Sequence, residues 1–359
     1  MLLDFASSLY LGLRHESRSL ERWDSLSSGR PAALHEPGES AAADAVATEL
    51  AALAGCAAGT LLSSTFHLFW DLLGVLSQEP IEIFMDAATY PIARWGAEHW
   101  AGRGVPLRPF LRHDASHLAR LLARGGVRRP LVLCDGVCPG SFSQPPLQAY
   151  AALAHRHRGW LVIDDTQALG VFGHSASMAA PYGRGGGGSL QRHGIAGSHV
   201  VVGASLAKGF GVPVALLAGS AALLRRFERD SASREHMSPP SVAVVHAARH
   251  ALAVNRHHGD HLRWRLWRAV RRLRARLSAN GLATQGDDFP VQTLTTPPGI
   301  DLLRVHAELR DQGVRSVLHR DRGGGPQLSF LVRADHGAAA IDCAVNQLTR
   351  ALHTPLAVA

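Results

Sequence analysis

Residues 199 to 211 read HVVVGASLAKGFG, an apolar run that ends among small residues and carries, at position 208, the only lysine of the 359-residue chain. Unbroken valines mark a strand buried on both faces. A lysine just past such a strand is oddly placed for a solvated charge. An amine held in a tight, partly apolar setting gives up its proton more readily and forms a Schiff base with a carbonyl, which a guanidinium cannot do. All other basic residues among the 37 are arginine, so the one surviving lysine points to a need for that amine.

Other segments have the same texture: IEIFM at 81 to 85, PLVLCD at 130 to 135, WLVIDD at 160 to 165 and VALLAGS at 214 to 220. Helical patterns lie between them, beginning with the alanine-rich SAAADAVATELAALAGCA at 40 to 57. Alternating helices and doubly buried strands predict an α/β fold with right-handed crossovers and a mainly parallel sheet. After SPPS at 238 to 241 come two helical stretches, shorter strands near 291 to 295 and 327 to 332, and a last helix from about Ala338 to Leu352. The expected organisation is an N-terminal segment (1–39), a large domain (40–235) and a smaller C-terminal α+β domain (236–359).

No apolar stretch is long and uncharged enough for a membrane span, and Asp4 interrupts the N-terminus before a signal sequence develops, which predicts a cytoplasmic protein. Cys56, Cys134, Cys138 and Cys343 lack metal-ligand spacing and read as reduced thiols, with no metal expected. The net charge of +8 is concentrated in RHHGDHLRWRLWRAVRRLRARL at 256 to 277. Leu262, Leu266, Ala269, Val270, Leu273 and Leu277 repeat there at helical spacing, so the segment reads as an amphipathic helix with its arginines in water. PYGRGGGGSLQRHG at 181 to 194 has no strand before it and no GK[ST] after it, and reads as a flexible surface loop.

Parallel sheets bind ligands at the carboxyl ends of their strands. Four ends are polar here: Asp86, Asp135, the cluster Asp164 to Gln167, and Ser205 with Lys208. An acid at the end of one core strand, paired with a lysine after another, suits pyridoxal phosphate, whose ring nitrogen must stay protonated for the ring to accept electrons. Asp164 is placed to keep it so.

The chain resembles the α-oxoamine synthases, fold type I pyridoxal phosphate enzymes that include 8-amino-7-oxononanoate synthase, glycine C-acetyltransferase and serine palmitoyltransferase. DFASSLYLGL at 4 to 13 looks like the family's (N/D)F-x-S-x-x-YLGL, and HDASHLARLL at 113 to 122 is similar to NDxxHLExLL. DGVCPGSFSQPPL at 135 to 147 fits EGVFSMDGDxAPL, LVIDDTQALGVFG at 161 to 173 looks like LMVDDAHSxGVxG, and VVGASLAKGFG at 201 to 211 is similar to IMGTxxKAxG.

The resemblance implies that Lys208 is the Schiff-base lysine and Asp164 the partner of the pyridine nitrogen. It also implies that Ser205 contacts the phosphate, and that Ser64, with Thr65 in place of a family glycine and Phe66 after it, begins the phosphate cradle. Asp135 falls among the cofactor-binding residues. Ser238 matches a hydroxyl that reaches the phosphate from the neighbouring subunit of a homodimer whose active sites lie between its chains.

Three further positions depart from the family. DAATYPI puts Tyr90 where a histidine stacks on the cofactor, and an aromatic ring can still do this. Gln167 replaces the histidine three residues after the pyridine aspartate. Its amide can hydrogen-bond the cofactor's 3-oxygen but cannot titrate near neutral pH. QLSFLVRADH at 327 to 336 places Ser329 where the second arginine of an RxR grips the substrate carboxylate, and Arg333 lies roughly 13 Å further along a strand.

The expected activity is condensation of an amino acid or amine with an acyl thioester, on coenzyme A or an acyl-carrier protein. An aminotransferase is the alternative. A non-catalytic role is disfavoured by Lys208 and Asp164 together, and nucleic-acid binding by the lack of a recognition motif.

Overall fold

The inner strands form where aliphatic and β-branched residues cluster, and four of them end at a polar residue: Asp86, Asp135, Asp164 and Ser205. A computed structural model describes residues 2–35, 38–141, 143–295, 299–320 and 324–353. In chain order β1 (Leu3–Asp4) is followed by α1 (Ala41–Ala54), β2 (Ala58–Leu62), α2 (Thr65–Ser77), β3 (Ile81–Asp86), α3 (Pro91–Ala101), β4 (Leu107–Phe110) and α4 (Ala115–Ala123). Then come β5 (Arg129–Asp135), α5 (Leu147–Arg156), β6 (Trp160–Asp164), α6 (Gly188–His193), β7 (Val200–Ser205), β8 (Ala215–Gly219), α7 (Ala221–Asp230) and α8 (Ala232–His236). The C-terminal part has α9 (Val242–Ser278), β9 (Ala283–Gln285), β10 (Val291–Thr295), α10 (Leu302–Asp311), β11 (Val314–Arg315), β12 (Val317–Arg320), β13 (Pro326–Leu331) and α11 (Ala338–His353).

Seven strands build one sheet in the order β2-β8-β7-β6-β5-β3-β4. β4, β3, β5, β6 and β7 are parallel, while β8 runs against both β7 and β2. Helices cover both faces, so the central strands are buried throughout, as their sequences require. A second, antiparallel sheet, β12-β13-β10-β9, lies wholly after α9. β1 pairs with β11 and Phe5 O accepts from Leu331 N, so the start of the chain is laced to its end. A mainly parallel sheet covered by helices on both faces, with a smaller C-terminal sheet after α9, is the α/β organisation that the sequence predicts.

Two expectations need correction. The glycine run is no surface loop: Gly186, Gly187 and Gly188 are buried. A Cβ on Gly187 would come within 2.1 Å of Leu53 O, and one on Gly188 within 2.0 Å of Asp165 Oδ2. The glycines leave room for the Leu53 carbonyl and for the Asp165 side chain. Nor do all arginines of α9 face water. Arg263 is 2% exposed. It bonds Gly170 O, Asn255 Oδ1 and Asp260 Oδ1, tying the glycine segment to the helix. The apolar stripe from Leu266 to Leu277 is buried as expected.

Candidate active site

The strands β5 and β6 end in register, Asp135 beside Asp164, and β7 ends next to them at Ser205. Loops leaving these ends enclose a cavity of about 240 Å³. Lys208, Asp164, Asp135, Ser205 and Gln167 line it, and Tyr90 and Thr65 come from the starts of α3 and α2. Thr166, from the polar cluster at 164 to 167, and Val137, Pro139 and Ile92 complete the wall. The sequence alone did not single out the last three.

Lys208 is half-buried, and its ammonium makes no hydrogen bond or ion pair among the described residues. Burial lowers its pKa, while the charges of Asp164 and Asp135 pull the other way. Asp164 is itself buried, which raises its carboxyl above the usual range. Thr166 N donates to its Oδ1 at 3.0 Å, and Lys208 favours its charged form. Asp135 is raised well above the ordinary range by burial and then by Asp164. An amine without a hydrogen-bonding partner that shares a cavity with two buried acids suits a group bringing a cationic ring nitrogen and a carbonyl. Pyridoxal phosphate supplies both.

The remaining groups also suit that cofactor. Ser64 caps α2, its Oγ accepting from His67 N, and Leu68 N makes the first bond into the helix, to Ser64 O. The amides of Thr65 and Phe66 therefore lie ahead of the helical ladder, where an anion is favoured. Of the three only Thr65 lines the cavity; Ser64 does not, and Phe66 is 45% exposed. The Ser205 amide donates to Thr166 Oγ1 at 2.9 Å, and its hydroxyl accepts from Ala207 N at 3.2 Å.

Tyr90 caps α3, half exposed at the rim, and its amide donates to both Asp135 oxygens at 3.1 Å. Asp135 thus anchors the segment that presents the ring. Gln167 Oε1 accepts from the Tyr10 hydroxyl at 2.7 Å. Tyr10 lies in the YLGL segment that carried the resemblance, yet nothing local marks it as a neighbour of Gln167.

Several expected residues lie elsewhere. Ser238 lines a separate hollow, its carbonyl accepting from Ser63 Oγ at 3.4 Å. Asp86 is spent on Ala88 N, His113 N and the Tyr150 hydroxyl. Asp165, which reads as a solvated or capping acid, is buried and bonds Ser189 N in the first turn of α6, so it caps without being solvated. Ser329 is buried between Thr293 Oγ1 and His319 Nε2, each at 2.8 Å. Arg333 is engaged with Asp4 and Asp335 and does not turn to the cavity.

The chain's likeness to known proteins agrees with this geometry. The sequence model of aminotransferase class I and II matches residues 2–318. An 8-amino-7-oxononanoate synthase of Salmonella paratyphi B is 27% identical over 362 residues, spanning 98% of this chain and 88% of that enzyme. A Sphingomonas wittichii serine palmitoyltransferase superposes with a TM-score of 0.84 at 18% identity, covering 98% of this chain and 87% of the other. A serine palmitoyltransferase from S. paucimobilis with bound PLP–myriocin aldimine gives 0.82 at 17% identity, with the same coverage. At those identities the structural likeness is one of fold.

Proposed function

Because this chain belongs to the aminotransferase class I and II family, whose matched span takes in every residue of the cavity, we propose that it is a pyridoxal 5′-phosphate-dependent acyltransferase of the α-oxoamine synthase kind. It joins an amino acid or amine to an acyl group delivered as a thioester, on coenzyme A or an acyl-carrier protein. One observation carries the reading: the sole lysine of the chain shares a cavity with Asp164 and has no hydrogen-bonding partner of its own there.

Bound in this cavity, the cofactor supplies an electron sink for charge developing on the carbon next to the substrate nitrogen. Asp164 would keep a proton on the pyridine nitrogen. Gln167 would donate to the 3-oxygen, Tyr90 would offer its ring face, and the first amides of α2 with Ser205 would hold the phosphate. Lys208 Nζ would anchor the cofactor and, as a free amine, would take and return the proton on the carbon next to the substrate nitrogen. Residues 40–235, which supply every residue lining the cavity, would hold the cofactor, residues 236–359 would form the smaller domain, and Ser238 of a second copy would complete the phosphate site in a homodimer.

The relatives named above favour acyl transfer over transamination. The two differ in what they consume. Purified protein given the cofactor should acquire a visible absorption band, which Lys208→Ala abolishes. Thiol should then be released only when amino substrate and acyl thioester are both present. Conversion of the cofactor to its amine form by an amino donor alone would establish the transaminase instead.

A further inference from the structure

Tyr10 is 1% exposed, and burial holds its phenol well above the ordinary range, so it keeps its proton. A buried hydroxyl proton has to be donated. Gln167 Oε1, at 2.7 Å, is its acceptor, and among the described residues the Tyr10 hydroxyl has no other partner. This decides which way the carboxamide points. Turned over, the Gln167 amide nitrogen would face Tyr10 and leave the phenolic proton without an acceptor. Oε1 therefore faces Tyr10, and the amide NH₂ is left for the cavity that Gln167 lines.

Tyr10 is itself firmly held. Its carbonyl accepts from Ala334 N at 2.8 Å, and its ring meets Phe289 edge-on, with centroids 5.6 Å apart. One residue thus bridges the chain's C-terminal part and a cavity wall on the large sheet.

We propose that Tyr10 is a positioning residue, locking the Gln167 carboxamide so that its NH₂ is presented to the cofactor's 3-oxygen as a permanent donor. The inference rests on the cofactor reading above. A group that only donates stabilises the ionised 3-oxygen over the protonated one, and unlike an imidazole it does so without titrating.

The test is the ratio of two absorption bands of the holoenzyme, the visible band of the ionised 3-oxygen and the near-ultraviolet band of the protonated one. Tyr10→Phe should lower that ratio about three- to tenfold, the worth of one hydrogen bond, while the cofactor stays attached to Lys208. Gln167→Ala should lower it at least as far, and the double variant no further than Gln167→Ala alone. An unchanged ratio in Tyr10→Phe, or in Gln167→Ala, overturns the proposal. So does an additive double variant, since Tyr10 would then act independently of Gln167. Wild-type protein without either band is a separate result: it refutes the cofactor reading and removes the basis for the Tyr10 role.

Discussion

Replacing Asp165 with asparagine should abolish a pH dependence that the wild-type fold contains. Asp165 is 1% exposed, and a Cβ on Gly136 or Gly188 would come within 2.2 and 2.0 Å of its carboxylate oxygens. Burial, with a smaller contribution from Asp164, raises its carboxyl from 3.8 to about 7, against the bond from Ser189 that favours ionisation. The folded value lies above the unfolded one, so the unfolded chain ionises first. Below about pH 3.8 the group has no effect; from there to about pH 7 each rise in pH weakens the native state; above that the penalty is constant. At about 1.4 kcal/mol per pKa step, the full penalty is on the order of 4 kcal/mol. Asparagine keeps an oxygen for Ser189 N and cannot ionise. Urea unfolding of the cofactor-free protein and the variant, in parallel from about pH 4.5 to 8, should show Asp165→Asn gaining several kcal/mol on wild type as pH rises. A difference between the two proteins that stays the same across that range would refute the reasoning.

Asp164→Asn should leave the cofactor attached while slowing exchange of the substrate's carbon-bound proton roughly a hundredfold, about 2.7 kcal/mol, because an amide cannot secure the proton on the ring nitrogen. Deuterium exchange followed by NMR measures this directly. Gly188→Ala places a methyl 2.0 Å from Asp165 Oδ2 at a residue with φ of +82°. It should cost more than about 2 kcal/mol of stability, read from the unfolding midpoint.

What the sequence reveals depends on how local each signal is. The five buried central strands declare themselves because both faces are apolar, and their polar ends then mark Asp135, Asp164 and Ser205. β2 and β4 close the two edges of the sheet. Their segments, AGTLL and LRPF, are short and partly exposed, so neither has the unbroken run that marks an inner strand. The glycine run was ambiguous for another reason. Glycine reports that a Cβ is unwelcome, and both flexibility and close backbone packing produce that signal. The Tyr10–Gln167 bond joins residues 157 apart, and no periodicity reaches that far.

The three departures from the family pattern share a direction once their surroundings are known. Gln167 is an amide tied to Tyr10, Tyr90 is a phenol at the rim, and Ser329 is a hydroxyl enclosed by Thr293 and His319. Each puts a neutral group where the resemblance implies an imidazole or a guanidinium. Lys208, Asp164 and Asp135 remain as the acidic and basic groups lining the cavity. In the proposed reading Lys208 and Asp164 are the two that the cofactor requires, while among the described residues no arginine on the cavity wall stands ready to grip a substrate carboxylate. Among the described residues no histidine lines the cavity, so under the proposed function proton transfer at the reacting carbon would fall to Lys208 Nζ. Burial lowers its pKa, the direction that helps a single amine serve as base and then as acid.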